Sequence, residues 1–151
     1  MVMAKIKRIL LAEDNPNDVE LTLAALLECR LSNEVEVVSD GAEALDYIYH
    51  RGKYADDNAS LPCVILLDLK MPRVDGLEVL RQLKSDPVVR HIPVVMLTSS
   101  REEKDLVRSY DLGVNGFVVK PVDFEQFVNA VRTLGMFWAI VNEPPPTKLA
   151  A

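Results

Sequence analysis

Cys63-Val64-Ile65-Leu66-Leu67-Asp68-Leu69-Lys70-Met71-Pro72 is the stretch that decides the fold of this chain. Its first residues are apolar and β-favouring, show no polar alternation, and run straight into a carboxylate. A strand with one wet face alternates polar and apolar residues. An unbroken apolar strand is buried on both faces, as in a parallel sheet covered by helices. Four further runs resemble it: Ile6–Ala12, Val35–Val38, Val94–Leu97 and Phe117–Val119. Helical patterns lie between them, giving βα units at about 6–30, 35–50, 63–85, 93–112 and 116–141. This alternation predicts an α/β domain with a parallel sheet and helices on its faces.

The helix starts carry their own signals. Asn15-Pro16 supplies a cap and then proline at the first helical position. Asp40 with Glu43, Ser100 with Glu103 and Asp123 with Gln126 each pair a capping residue with Glu or Gln three positions on. Val19, Leu23, Leu26 and Leu27 predict the buried face of the first helix. Phe124, Phe127, Val128, Val131, Leu134, Trp138 and Val141 mark that of the last. Arg51–Ser60 is a polar connection longer than a compact unit needs. Pro144-Pro145-Pro146 closes the last helix and opens a tail expected to be disordered.

A length of 151 residues predicts one domain. Lys and Arg number 17 against 23 Asp and Glu, a net charge of −6 that speaks against a nucleic-acid surface. The longest nearly unbroken apolar run, Leu134–Val141, is far shorter than the about 20 residues of a membrane span. The apolar stretch after Lys5, Lys7 and Arg8 meets Glu13 and Asp14 too soon for a signal peptide. Cys29 and Cys63 lie far apart without metal-binding spacing and read as small buried hydrophobes in a reducing compartment. The expectation is a cytoplasmic protein.

Ligands of open parallel sheets bind at the carboxyl ends of the strands. The residues there are Glu13-Asp14, Asp68, Thr98-Ser99 and Lys120-Pro121, while Ser39-Asp40 after the second strand reads as a helix cap. If strands one and three are neighbours, three carboxylates and a lysine converge. Clustered carboxylates repel, and the usual reason to hold them together is a hard divalent cation such as Mg²⁺. Lys120 and the Thr98 hydroxyl beside that cation would suit phosphoryl oxygens. A carboxylate is also a competent nucleophile. Each residue alone reads as a solvated loop residue or cap; together, at four strand ends, they read as one site.

These same segments resemble a response-regulator receiver domain from about Ile6 to about Leu134: Ile9-Leu-Leu-Ala-Glu13-Asp14-Asn15, Leu66-Leu-Asp68-Leu-Lys-Met-Pro72-Arg-Val-Asp-Gly76, Val94-Val-Met-Leu-Thr98-Ser-Ser100, and Gly116-Phe-Val-Val-Lys120-Pro121. The resemblance implies a flavodoxin-like (βα)5 receiver fold, doubly wound, with the five-stranded parallel sheet in order 2-1-3-4-5. It implies that Asp68 accepts a phosphoryl group from a phosphohistidine of a partner histidine kinase. Mg²⁺ or Mn²⁺ would be held by Asp14, Asp68, the backbone carbonyl of Lys70 and, through water, Glu13. Thr98 would hydrogen-bond the phosphoryl group and Lys120 would pair with it. The Lys120–Pro121 peptide is expected to be cis. Thr98 and Phe117 would form the switch pair, Phe117 standing where many relatives have Tyr. Dephosphorylation is self-catalysed, so the protein is not expected to be an enzyme with an outside substrate. Gly76 is expected to let the backbone turn before the third helix, and Pro72 to stiffen that loop. His50 and His91 lie on polar connections and are not placed as ligands, and Tyr110 is expected to have a packing or surface role.

The connection at 51–61 and the continuation after Leu134 exceed a usual receiver. With Glu13-Asp14-Asn15-Pro16-Asn17-Asp18-Val19-Glu20-Leu21, they resemble the single-domain response regulators paired with cyanobacterial phytochrome kinases. The expected division is a receiver over 1–142, with a core of about 6–134 and a helical extension at 135–142, followed by the proline-containing tail 143–151. No DNA-binding or catalytic output domain fits in the remainder. Met136, Phe137, Trp138, Ile140 and Val141 place apolar groups around most of the extended helix, and exposed apolar patches mark interfaces. A homodimer is therefore expected through the helix of the fourth unit, the fifth strand and the fifth helix, with Phe137, Trp138 and Ile140 in the contact. Other readings are a receiver serving a non-phytochrome kinase or a phosphorelay, and a binding module that works without phosphorylation. An Asp-nucleophile phosphatase would want a carboxylate where Lys70 stands. A flavodoxin-like cofactor carrier would want a Ser/Thr/Gly-rich loop where Glu13-Asp14 stand.

Overall fold

A computed structural model of the chain describes residues 8–28, 34–56, 61–98, 111–120 and 122–133. Strands β1 (Arg8–Ala12), β2 (Glu34–Val38), β3 (Val64–Asp68), β4 (Val94–Thr98) and β5 (Gly116–Val119) form one sheet in the order β2-β1-β3-β4-β5. Every neighbouring pair is parallel. Helices α1 (Pro16–Glu28), α2 (Gly41–Tyr49), α3 (Gly76–Lys84) and α4 (Phe124–Thr133) accompany it. Expectations for Cys29, the Ser100–Glu103 cap, Tyr110, the Lys120–Pro121 peptide, the extension 135–142 with Phe137, Trp138 and Ile140, and the tail 143–151 lie outside the described residues.

The unbroken apolar strands are explained by two cores. Every residue of β3 and β4 is buried. Successive strand residues point to opposite faces. Leu10, Ala12, Ile65, Leu67, Val94 and Met96 join the core that includes Leu45, Ile48, Val79 and Leu80 of α2 and α3. Ile9, Leu11, Val64, Leu66, Val95 and Leu97 join the other, with Ala25 and Leu26 of α1 and Phe127 of α4. Cys63 is half-buried against this second core. The outer strands β2 and β5 are only half-buried. Truncating Leu66 or Leu67 to Ala costs about 2–5 kcal/mol, the loss usual for a buried leucine.

The face of α1 differs from expectation. Thr22, Ala25 and Leu26 are buried and Val19 is half-buried, whereas Leu23 and Leu27 are exposed together with Leu21. The leucines at 21, 23, 26 and 27 spread around the helix, so their periodicity does not single out one stripe. Small residues, Thr22 and Ala25, lie against the sheet instead, where they permit close approach.

The caps form as the sequence implies, with one difference. Asp40 accepts a hydrogen bond from the Glu43 N–H, and Asp75 from the Glu78 N–H. Asn15 Oδ1 accepts from the N–H groups of Asn17 (2.8 Å) and Asp18 (3.2 Å). Glu43 does not close back on Asp40; its carboxylate accepts from the Ser39 N–H at 2.8 Å. The polar connection after α2 is partly structured. His50, at φ 55°, ends the helix in the left-handed region, and a 3-10 turn over Gly52–Tyr54 lays Tyr54 against α2. Tyr54 meets Tyr47 edge-on with centroids 5.1 Å apart, and its hydroxyl donates to Glu43 at 3.0 Å.

Candidate functional site

The carboxyl ends of β1, β3, β4 and β5 converge, and backbone bonds fix them. The Glu13 N–H donates to the Val38 carbonyl at 3.0 Å, so pairing with β2 continues one residue past β1. The Leu69 N–H donates to Leu97 O, and the Lys120 N–H to Thr98 O. The side chains of Glu13, Asp68, Thr98 and Lys120 therefore leave a frame set by the sheet itself.

Glu13, Asp68 and Thr98 are buried, Lys120 is largely covered, and Asp14 is exposed. The Lys120 ammonium lies 2.6 Å from Glu13 Oε1 and 3.0 Å from Asp68 Oδ1. It also lies 3.1 Å from Asp18 Oδ2. Glu13 Oε2 accepts from the Asn15 N–H at 3.1 Å. Glu13 Oε1 has the Lys120 ion pair but no hydrogen bond from another group among the described residues. Glu13, Asp14 and Asp68 each offer an oxygen, and these oxygens lie within 4.8 Å of one another. A buried carboxylate oxygen short of donors, in an all-oxygen cluster, fits a hard divalent cation.

The charges explain the titration behaviour. Burial pushes the Asp68 carboxyl above its ordinary value; Lys120 opposes that shift and the Glu13 carboxylate adds to it. Burial draws the Lys120 ammonium down, but hydrogen bonds and charge from Glu13 and Asp68 outweigh this and hold it above its ordinary range. Among the described residues, four carboxylates (Glu13, Asp14, Asp18 and Asp68) meet one ammonium, so negative charge is in surplus there.

The loop from β3 to α3 is tightly constrained. A Cβ on Gly76 would lie 2.2 Å from the Asp68 carbonyl oxygen, and one on Gly41 only 1.9 Å from the Val74 carbonyl oxygen. Gly76 is thus required for close backbone approach, and it opens α3 without a left-handed turn. This corrects the expectation of a freely turning glycine. The left-handed residue of this loop is Arg73, at φ 68°, inside a turn closed by the Val74 N–H on Pro72 O at 2.8 Å. Its guanidinium reaches Asp40 at 3.5 Å. The Lys70 side chain is exposed, and Phe117, on β5 opposite Met96, packs half-buried against the core of α2 and α3.

The family model for the response regulator receiver domain matches residues 9–132. The chain belongs to that family. The receiver is 61% identical to the bacteriophytochrome response regulator AtBRR, whose solved structure covers 93% of this chain and is covered in full, with a TM-score of 0.84. It is 44% identical to the phosphorylated cyanobacterial phytochrome response regulator RcpA, covering 89% of this chain and 95% of that one, with a TM-score of 0.75. Response regulator Rcp1 of Synechocystis sp. is 36% identical over 132 residues, 87% of this chain and 88% of Rcp1. The solved Mn²⁺-bound form of Rcp1 superposes with a TM-score of 0.75, covering 93% of this chain and 99% of its own. The receiver is thus like the phytochrome response regulators along nearly its whole length. Receivers are typically switches that interact with histidine kinases, and the carboxylate cluster suits a divalent metal. No described helix is long and apolar enough to cross a membrane.

Asp18 is the site residue that sequence reading missed. It sits in the first turn of α1, and no spacing rule links it to a lysine 102 positions away. The only available signal was its place in Asn15-Pro16-Asn17-Asp18, immediately after the acidic pair.

Proposed function

We propose that this receiver is a stand-alone phosphorylation switch whose phosphoacceptor is Asp68. The observation that carries the reading is the Asp68 carboxylate at the end of a fully buried strand, 3.0 Å from the Lys120 ammonium and grouped with Glu13 and Asp14. In the reaction, an Asp68 oxygen attacks the phosphorus of a phosphohistidine on a partner kinase. A P–O bond forms, the P–N bond breaks, and the imidazole leaves and takes up a proton. Lys120 orients Asp68 before the reaction and pairs with phosphoryl oxygens after it. Thr98, at the end of the adjacent strand, then donates its hydroxyl to the phosphoryl group, and Phe117 responds through packing alone. Asp14, Asp68, the Lys70 carbonyl and, through water, Glu13 would hold Mg²⁺. When bound, that cation offsets negative charge on the carboxylates and the incoming phosphoryl oxygens.

Likeness to AtBRR, RcpA and Rcp1 supports a phytochrome-type histidine kinase as the partner, and the proposed compartment is the cytoplasm. The receiver unit spans 1–142 and the tail 143–151. Its output is a change in the surface it offers to other proteins, a homodimer through the helix of the fourth unit, β5, the last helix and its extension being one such contact. Phe137, Trp138 and Ile140 supply the apolar part of that contact.

The test is intact mass after incubation with acetyl phosphate and Mg²⁺. One added phosphoryl group is expected, absent in Asp68→Asn and absent with a chelator. An adduct that survives Asp68→Asn overturns the reading. For the dimer, sedimentation at tens of micromolar that shows a monomer with and without a phosphoryl analogue overturns that contact.

A further inference from the structure

Lys120 has three carboxylate partners, and they are not equivalent. Glu13 and Asp68 belong to the cluster whose oxygens lie within 4.8 Å of one another; Asp18 does not. The Asp18 side chain does not cap its helix, because Asn15 Oδ1 takes the N–H groups of the first turn. Its carboxylate is spent on the Lys120 ammonium at 3.1 Å, and it is more exposed than the other two partners.

We infer that Asp18 is a positioning residue: it holds Lys120 when a cation and a phosphoryl group engage the other two carboxylates. The inference rests on the switch reading above. Without cation, the ammonium satisfies Glu13 and Asp68. A bound cation would draw on Asp68 and, through water, on Glu13, and the ammonium would then need another counter-charge. Asp18 provides one that is fixed by α1 and lies outside the cation cluster. It eases cation entry, and it also withholds part of the lysine charge from the phosphoryl oxygens. The two effects have opposite signs for the two ligands.

That opposition is the test. Mg²⁺ binding is measured by calorimetry on the unphosphorylated chain, and beryllofluoride binding at saturating Mg²⁺. Asp18→Asn should weaken Mg²⁺ by about threefold to tenfold and tighten beryllofluoride by a similar factor, the scale of a partly exposed ion pair. Asp18→Glu keeps the charge and should restore most of the Mg²⁺ affinity. Glu20→Gln removes an exposed charge from the same helix and should leave both affinities unchanged. If Asp18→Asn behaves as Glu20→Gln, or loses affinity for both ligands together, the positioning role is overturned. If the unsubstituted chain binds neither ligand, the switch reading itself fails, and the two failures are distinct.

Discussion

Two groups of carboxylates in this molecule are handled in opposite ways. On the flank of α2, Glu43 is matched: it accepts from the Ser39 N–H and the Tyr54 hydroxyl, and Lys53 lies 2.6 Å away. Burial raises its pKa, yet Lys53, the Ser39 N–H and Tyr54 together bring it below the ordinary value. At the strand ends, Glu13, Asp18 and Asp68 share the single ammonium of Lys120, and Asp68 is raised. A fold that wanted only stability would match charges everywhere, as it does at Glu43. The difference teaches that the surplus is held for something that arrives from outside, which is why strongly perturbed groups mark functional sites.

Added Mg²⁺ should produce the largest effect, because it acts only at the surplus. A ligand at a hundred times its dissociation constant stabilises the native state by about 2.7 kcal/mol. Thermal unfolding with and without Mg²⁺ should show that gain in the native chain and in Glu43→Gln, and little of it in Asp68→Asn. An equal gain in all three breaks the comparison.

Next in size is the metal-free effect of Asp68→Asn, a stabilisation on the order of 2 kcal/mol near neutral pH: roughly three pKa units at 1.36 kcal/mol each would give about 4 kcal/mol, and the lost Lys120 ion pair takes back about half of it. Asp68 has a folded pKa of about 7, above its unfolded value of roughly 4. Its contribution therefore favours the fold at low pH and is lost as pH rises through about 7. Chemical denaturation across that window, with chelator present, should show a downward slope that Asp68→Asn flattens.

Glu43 has the opposite sign. Its lowered pKa contributes stability above the unfolded value of roughly 4.3, and this is lost as pH falls through the lower folded value. Glu43→Gln should cost about 1 kcal/mol at neutral pH and progressively less in acid. The smallest effect belongs to Tyr54→Phe, which removes one hydroxyl from a carboxylate that keeps two other partners. A loss of about 0.5–1 kcal/mol in the same denaturation series is expected. A larger loss than for Glu43→Gln would mean that the docked turn, not the charge match, organises this flank.

Much of this was legible in the residues. Val64–Leu67 and Val94–Leu97 are apolar without alternation because cores lie on both faces, and that pattern has few other causes. Asp68 and Thr98 end their strands, and Glu13, Asp14 and Lys120 follow theirs at once, so a parallel sheet brings them together whatever the connections do. What escaped depends on neighbours remote in sequence. Leu23 and Leu27 carry apolar side chains outward, because Thr22 and Ala25 suit the close approach of α1 to the sheet. Asp18 meets Lys120 across 102 positions of sequence, a pairing that only the folded chain creates. Gly76 needs its missing Cβ because of the Asp68 carbonyl, a contact that spacing alone does not reveal.

The half-burial of the two outer strands also bears on how copies of the chain meet. The rim formed by β2 carries Glu34 and Glu36, and charged residues on an edge strand oppose the addition of another sheet. The rim formed by β5, Gly116-Phe117-Val118-Val119, carries none. Growth of a sheet from chain to chain needs two receptive rims, and among the described residues only the β5 rim is free of charge. If copies pair through β5, as proposed, growth would terminate at a pair, and the concentration of the chain would set how many pairs form and not the length of a polymer.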